Sequence, residues 1–306
     1  MSSVLVTGAG GFIGRRVVDC ADGATHRVVP VSRRPAGGQS MVLDLTGPLG
    51  ALPKVDWVFH LAGSYAGAGT RQLEQSDLEM TRRLIAWGRS VHVRNWVFAS
   101  AAEVYGECAE PATEDSPTHP LIPYGRVKLE IEHLFSKLAR EVPDTRAAIL
   151  RIGEVYGRSG NLVEELTRRF SSGFCPWFGS GKVPVSFVHV DDVAQAFWSA
   201  LRNAPLGIST WNIADDRIVT WREFLGHFAR LLGTRDVVGL PISLSKAYAL
   251  ASTMADRVRG RRPTVTRYVV TLLTTPKPMS GRKAREQLGL RLQYPEYQVG
   301  LEEALD

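Results

Sequence analysis

Over the first 152 or so residues, short apolar runs rich in β-branched residues alternate with stretches whose apolar positions recur every three or four residues. The runs are "SVLVTG", "HRVVPVS", "SMVLDL", "VDWVFHLAG", "VRNWVFAS" and "RAAILRIG". Each is continuous rather than alternating, which suits parallel strands covered on both faces. Strands interleaved with helical segments in this way predict an α/β fold built on a doubly wound parallel sheet. After Gly153 the rhythm breaks in "GNLVEELTRRFSSGFCPWFGSGKVP" and returns with "VSFVHV", "DDVAQAFWSAL", "GISTWNIADD" and the amphipathic "TWREFLGHFARLL". From about residue 235 it departs again. The expected organisation is one domain over 1–153 and 186–234, with a smaller, largely C-terminal lobe made from 154–185 and 235–306.

Composition narrows the class. The chain has 306 residues, 44% hydrophobic and 22% charged, the balance of an ordinary globular enzyme rather than of a disordered or fibrous chain. Cys20, Cys108 and Cys175 are widely spaced and form no CxxC pattern, so neither a disulfide framework nor a zinc site is expected, and a reducing compartment fits. The chain enters "VLVTG" almost at once, leaving no room for a leader, and no apolar run reaches bilayer length. A cytoplasmic protein with no integral membrane segment is expected, with peripheral membrane contact left open. The net charge of +6 favours anionic ligands or an acidic membrane face. Its densest patch, "RVRGRRPTVTR", holds Arg257, Arg259, Arg261, Arg262 and Arg267 without interleaved aromatics or a recognition motif, so nucleic acid is not expected and a solvated face is the plain reading.

"VLVTGAGGFIGRRVV" places Gly8, Gly11 and Gly14 three apart, after a strand and before a helix. This order supplies a tight turn, close backbone approach to a pyrophosphate and free amides at a helix N-terminus, so a Rossmann dinucleotide site is expected here. About eighteen residues beyond Gly14, where a carboxylate would accept from the adenine-side ribose, stands "VSRRP". Ser32 replaces the acid, and Arg33 and Arg34 can pair with a 2′-phosphate, which favours NADP over NAD; two solvent-facing arginines beside an unselective site are the alternative.

With these features the chain resembles the extended short-chain dehydrogenase/reductase family, also called the NAD-dependent epimerase/dehydratase family. "TGAGGFIG", "VLDLTG", "VFHLAG", "VYG", "YGRVK", "LRIGEVYG" and "FVHVDDVA" carry the resemblance along the whole chain. It implies that Phe12 and Ile13 belong to the phosphate loop, that Asp44 and Leu45 flank the adenine, and that Leu61, Ala62 and Gly63 line the cofactor cleft. It further implies a small-molecule substrate and a homodimer through a four-helix interface containing the Tyr124 helix. Tyr124 and Lys128 of "YGRVK" share one helix face, with Val127, Ile131, Leu134, Phe135 and Leu138 continuing an anchoring stripe. A cation beside a phenol is expected to lower the Tyr124 pKa toward neutrality for acid/base work; the resemblance also gives Lys128 the nicotinamide ribose. The family's usual Ser or Thr four residues before the Tyr of "VYG" is Ala101 here. Ser100, Glu103 or a water are the candidates for the vacant role, with Ser100 taken as the catalytic hydroxyl.

Nucleotide-sugar members of the family hold their pyrophosphate with an Arg and an Asn where this chain has Val185 and Glu154. Both changes disfavour a diphosphate. The C-terminal third resembles the 3β-hydroxysteroid and sterol dehydrogenase branch, and Leu244, Tyr248 and Leu250 either line a lipid-like pocket or are ordinary core. His60 and His189 are expected to be hydrogen-bonded structural residues, and Asp191 and Asp192 a helix start; no metal is expected. The leading expectation is an NAD(P)-dependent oxidoreductase interconverting a secondary alcohol and a ketone on a rather hydrophobic, non-nucleotide substrate. A nucleotide-sugar epimerase or dehydratase is the alternative, and a non-catalytic dinucleotide-binding module the alternative of another class.

Overall fold

The computed structural model describes residues 1–35, 40–64, 73–173, 176–235, 237–258 and 266–306. Its centre is a seven-stranded parallel sheet. In chain order the strands are β1 (Ser2–Thr7), β2 (His26–Ser32), β3 (Met41–Val42), β4 (Trp57–His60), β5 (Asn95–Ala101), β6 (Arg146–Ile152) and, later in the chain, β11 (Gly207–Ile213). They lie in the order β11-β6-β5-β4-β1-β2-β3. The chain reverses direction across the sheet at β1, so a crevice opens beyond the carboxyl ends of β1 and β4, where open α/β sheets bind ligands. The run "SMVLDL" is a strand only at Met41 and Val42, since Asp44 turns the chain by accepting from the Thr46 amide at 2.9 Å.

Continuous apolar strands fill both faces. On one side Leu5, Val58, Phe98 and Ile149 pack against α2 (Glu79–Ser90) and α3 (Pro123–Glu141) through Leu84, Trp87, Val127, Ile131 and Phe135. On the other, Val6, Phe59, Val97 and Leu150 meet α1 (Phe12–Asp19) and α5 (Val190–Asn203) through Val17, Val193 and Phe197. The intervening α4 (Asn161–Ser171) lies in the lobe, whose own core is aromatic. Phe187 of β10 (Phe187–His189) stacks on Phe224 of α6 (Trp221–Leu231) with ring centres 4.1 Å apart. Thr220 and Glu223 start α6 with a reciprocal capping box, the Thr220 side chain accepting from the Glu223 amide while the Glu223 carboxylate accepts from the Thr220 amide. Short pairs complete the lobe: β7 (Glu154–Tyr156) with β10, β9 (Pro184–Val185) with β12 (Val219–Thr220), and β8 (Pro176–Phe178) with β13 (Val238–Leu240).

Two expectations are corrected here. The tail does not stay in the lobe: α9 (Arg282–Leu288) follows α7 (Ile242–Val258) and α8 (Arg267–Thr274), and its Ala284 and Leu288, with Leu290, join the core beside the sheet. Asp191 and Asp192 do stand in the first turn of α5, the helix start expected of them, although neither side chain caps it. His189 does, accepting from the Asp191 amide, while Asp191 pairs with Arg16 and Asp192 accepts from the Gln293 and Tyr294 amides at 2.6 and 3.0 Å. Leu244, Tyr248 and Leu250 are exposed on α7 rather than part of the core, with the Tyr248 ring centre 6.4 Å from that of the buried Phe178.

Asp215, just past β11, is 4% exposed. Burial and the neighbouring Asp192 and Asp216 hold its carboxyl well above the usual range, against one backbone amide from His189. Burial also pushes Asp192 up to about 6. As pH rises from about 4 through 6, the folded chain keeps protons that the unfolded chain has released, so these two groups lower stability over that interval. Asp215→Asn should therefore raise the unfolding free energy at pH 7 by about 1–3 kcal/mol and flatten the dependence of Tm on pH between 4 and 7. Thermal denaturation across that range checks both, and an unchanged pH slope would refute the assignment.

Candidate active site

The phosphate loop is shaped by steric necessity. Gly8 has φ +71, and a Cβ there would lie 2.7 Å from the Ala62 nitrogen; one on Gly14 would lie 2.1 Å from the Gly8 carbonyl oxygen. Gly11 caps α1 and donates to the Gly8 carbonyl at 2.9 Å, and the amides of Phe12 and Ile13 begin the helix at its positive end. The Thr7 hydroxyl accepts from the Ala62 amide at 3.2 Å and the Thr7 carbonyl from the Leu61 amide at 3.3 Å, so the Gly-rich turn and the Leu61–Gly63 segment form two lips of one crevice. A cradle that side chains would fill, ending in helix amides, fits a dinucleotide pyrophosphate. Arg33 and Arg34 are exposed at the end of β2. Ser32 is turned away, its hydroxyl donating to the Arg34 carbonyl. Asp44 is exposed, whereas the Leu45 side chain is buried in the core under α2, so only its backbone can flank an adenine.

Pro123 begins α3 and Gly125 lets it close on the preceding loop, since a Cβ there would lie 2.4 Å from the Glu103 carbonyl oxygen. Tyr124 and Lys128 thereby face the crevice together. Lys128 Nζ donates to the Ala99 carbonyl at 2.7 Å and lies 5.5 Å from the Tyr124 ring centre, and a Cβ on Gly63 would be 3.7 Å from it. The expected acidic phenol is corrected: burial, then Glu103, Asp77 and Glu154, push Tyr124 well above the ordinary tyrosine value. Burial pushes Lys128 down to about 8, against Asp77, Glu103 and Glu132. Desolvation of a group away from bulk water outweighs one ammonium that is already committed to a carbonyl. Tyr124 thus keeps its proton at neutral pH.

Ser100 does not take the vacant hydroxyl's role. Alternation along β5 turns it to the same face as Trp96 and Phe98, under α3, where its hydroxyl donates to Glu132 at 2.5 Å. Glu132 is held by Arg151 at 2.7 Å, and the Arg151 guanidinium lies 4.8 Å from the Tyr105 ring centre. This buried network joins β5, β6 and α3. His60 is structural, its two ring nitrogens 2.9 Å from the Thr7 and Thr81 hydroxyls, and burial pushes it down to about 3.

The residues missed in the sequence are Asp77 and Lys277. Asp77, buried, accepts from the Ser64 amide at 2.6 Å and fixes the lip beside Gly63 and Lys128. Lys277 reaches in from the tail: its amide donates to the Pro184 carbonyl, and Pro276 and Pro278 accept from the Cys108 and Ala112 amides. Its ammonium lies 2.6 Å from Glu103 and 2.5 Å from Glu154. Burial pushes Lys277 down, but the two carboxylates prevail and hold it above the ordinary lysine value. The tail backbone runs beside the buried Val185 through a bridge pairing of the two residues. Only the flanking prolines hint at this in the sequence, because the partners are 123 and 174 positions away. Glu103 and Lys277 border a shallow opening, with about 20 Å³ of enclosed space, whose walls include Leu121, Ile122, Thr271, Leu272 and Thr275. No cluster among the described residues has the makings of a metal site.

The chain is similar in sequence and fold to several known proteins. The sequence model of the NAD dependent epimerase/dehydratase family matches residues 4–214. The epimerase family protein SDR39U1 of Bos taurus is 27% identical over 315 residues, covering 99% of each chain. UDP-glucose 4-epimerase of Pisum sativum is 27% identical over 333 residues, covering 95% of this chain and 91% of that protein. Among solved structures, MoeE5 in complex with UDP-glucose and NAD superposes with a TM-score of 0.80 at 25% identity, over 99% of this chain and 97% of that one. Human SDR39U1 with NADPH shares the fold with a TM-score of 0.81 at 24% identity, over 99% of both chains. A glycine cradle, a Tyr124–Lys128 pair facing it and a sequence match across two thirds of the chain lead to one conclusion: this protein belongs to the NAD-dependent epimerase/dehydratase family of extended short-chain dehydrogenase/reductase enzymes.

Proposed function

We propose that the protein is an NADP(H)-dependent oxidoreductase that reduces a ketone, or oxidises the matching secondary alcohol, on a rather hydrophobic substrate without a nucleotide diphosphate. The observation that carries this reading is the Glu103–Lys277–Glu154 cluster beside Tyr124. Its net charge is negative, which disfavours a diphosphate beside it. The apolar walls Leu121, Ile122 and Leu272 support an uncharged, hydrophobic substrate body. The NADP preference rests on Arg33 and Arg34 and is in keeping with the NADPH bound by human SDR39U1.

When bound, the nicotinamide supplies or accepts the hydride. Tyr124 donates its proton to the substrate oxygen as the alkoxide develops, which its raised proton affinity suits. In this reading Lys128, which donates to the Ala99 carbonyl, also holds the nicotinamide ribose. An ammonium has three donors, and Glu103 and Glu154 take two of those of Lys277. The third supplies the substrate-oxygen hydrogen bond that Ala101 cannot make.

The test is net cofactor turnover. With hydrophobic ketones the absorbance of reduced NADPH should fall in step with alcohol formed, and NADPH should be preferred to NADH. Reading against nucleotide sugars separates the second possibility, which the pea UDP-glucose 4-epimerase relationship favours. Isomerisation of a UDP-sugar without net cofactor change would replace the oxidoreductase reading with that one.

A further inference from the structure

We infer that Asp77 is a positioning residue that keeps Lys128 an ammonium from across Gly63, without touching it, so that the remaining hydrogens of the lysine stay free for the nicotinamide ribose. The ribose enters from the oxidoreductase reading above, on which this part of the role rests; the pairing of the two charges follows from their burial and placement. Lys128 is 6% exposed and Asp77 is 3% exposed. Lys128 Nζ gives one of its three donors to the Ala99 carbonyl at 2.7 Å. Asp77 accepts from the Ser64 amide at 2.6 Å and from the Ser64 hydroxyl at 2.9 Å. Among the described residues neither forms an ion pair by contact, unlike the nearby Glu132, Glu103 and Lys277. A buried charge with no compensation gives up its ionised form rather than bear the cost of desolvation. Each of these two is compensated by the other: the point that a Gly63 Cβ would take is 3.3 Å from Asp77 Oδ2 and 3.7 Å from Lys128 Nζ.

The other groups facing Lys128 among the described residues are engaged or neutral. Glu132, one turn along α3, is held by Arg151 at 2.7 Å and accepts from Ser100. Glu103 lies 2.6 Å from the Lys277 ammonium. His60 is uncharged at neutral pH, Tyr124 keeps its proton, and the Phe98 ring centre lies 4.9 Å from the ammonium. Asp77 is foremost among the carboxylates that hold Lys128 up against burial. Its place is set by a relay of hydrogen bonds. The Asp77 carbonyl accepts from the Thr81 hydroxyl at 2.7 Å, which leaves Thr81 Oγ1 to accept from His60 Nε2 at 2.9 Å. His60 Nδ1 then accepts from the Thr7 hydroxyl at 2.9 Å, and Thr7 Oγ1 accepts from the Ala62 amide at 3.2 Å. One frame therefore holds the carboxylate, the Gly-rich turn and the Leu61–Gly63 lip. A carboxylate bonded directly to Lys128 would consume donors, whereas one set back across Gly63 favours the ammonium and leaves two N–H groups for ribose hydroxyls.

Titration of the Lys128 ammonium by NMR tests this on the full chain, with lysine labelled at Nζ and the signal assigned by its loss in Lys128→Arg. Asp77→Asn can keep both contacts with Ser64, its amide oxygen accepting from the backbone and its amide nitrogen donating to the hydroxyl, and removes the charge. The Lys128 midpoint should then fall by about one pH unit or more. The pH at which NADPH loses affinity, read by fluorescence, should fall with it. Ser64→Ala removes a hydrogen bond to Asp77 but no charge, and should move neither. An unmoved midpoint in Asp77→Asn overturns the inference, and so does an equal shift in Ser64→Ala, which would make the role one of structure alone. Should Asp77→Asn not fold, the parent decides: a Lys128 midpoint at or below about 6, where uncompensated buried lysines titrate, overturns the pairing, and a higher one supports it. Neither readout needs turnover. Ketones that are not reduced would remove the oxidoreductase reading and leave the pairing standing, whereas a midpoint that stays in place while NADPH is consumed would do the reverse.

Discussion

Replacing Tyr124 with Phe should lower kcat/KM for ketone reduction by about 10²–10⁴-fold, the usual worth of a positioned general acid, while leaving NADPH affinity unchanged. The ring stays, so its packing at the start of α3 and its distance from Lys128 are kept; only the hydroxyl is lost. Because burial and three carboxylates keep the phenol protonated well above neutrality, the wild-type reductive rate should not depend on Tyr124 ionisation between pH 6 and 8. It should fall above about pH 8, where Lys128 loses its proton and with it the charge facing the ribose. The measurement is a pair of steady-state pH profiles together with a cofactor titration by fluorescence. A Phe variant that turns over at the parent rate would remove Tyr124 from the chemistry.

The second large effect is expected at Lys277. Lys277→Met should reduce kcat by about 10²–10³-fold, the scale seen when one donor to a developing oxyanion is removed. The substitution also leaves Glu103 and Glu154 facing one another with no cation between them, close to Tyr124. Part of the activity should return as the pH is lowered, because a proton shared between the two carboxylates relieves their repulsion. Adding Glu154→Gln to Lys277→Met should restore stability without restoring kcat, separating the electrostatic role of the lysine from its contact with substrate. Near-normal kcat in Lys277→Met, with a parent-like pH profile, would sink the assignment of Lys277 as the donor replacing the hydroxyl absent at Ala101.

The two large effects differ in how far they could be foreseen. Tyr124 and Lys128 are four apart on a helix started by Pro123, and helical geometry alone puts them on one face. The same holds for the glycine loop, where Gly8, Gly11 and Gly14 answer to local backbone sterics. Two predictions that depended on the environment of a group rather than its position failed. The phenol is not acidified, because desolvation is summed over everything packed around Tyr124. Ser100 is not catalytic, because β5 turns it toward Glu132 and Arg151, partners contributed by α3 and β6.

By itself the sequence determined the parallel strands, the Rossmann cradle and the family, because period, turn residues and i, i+4 spacing are properties of neighbouring residues along one chain. Only the tertiary structure decided that Lys277 is clamped between Glu103 and Glu154, that α9 returns to the sheet, and that Leu244, Tyr248 and Leu250 face outward. These outcomes join or separate segments more than a hundred residues apart, or rest on which neighbour covers a helix face. Local spacing holds no information about either, because solvent exclusion and charge pairing act through space rather than along the backbone.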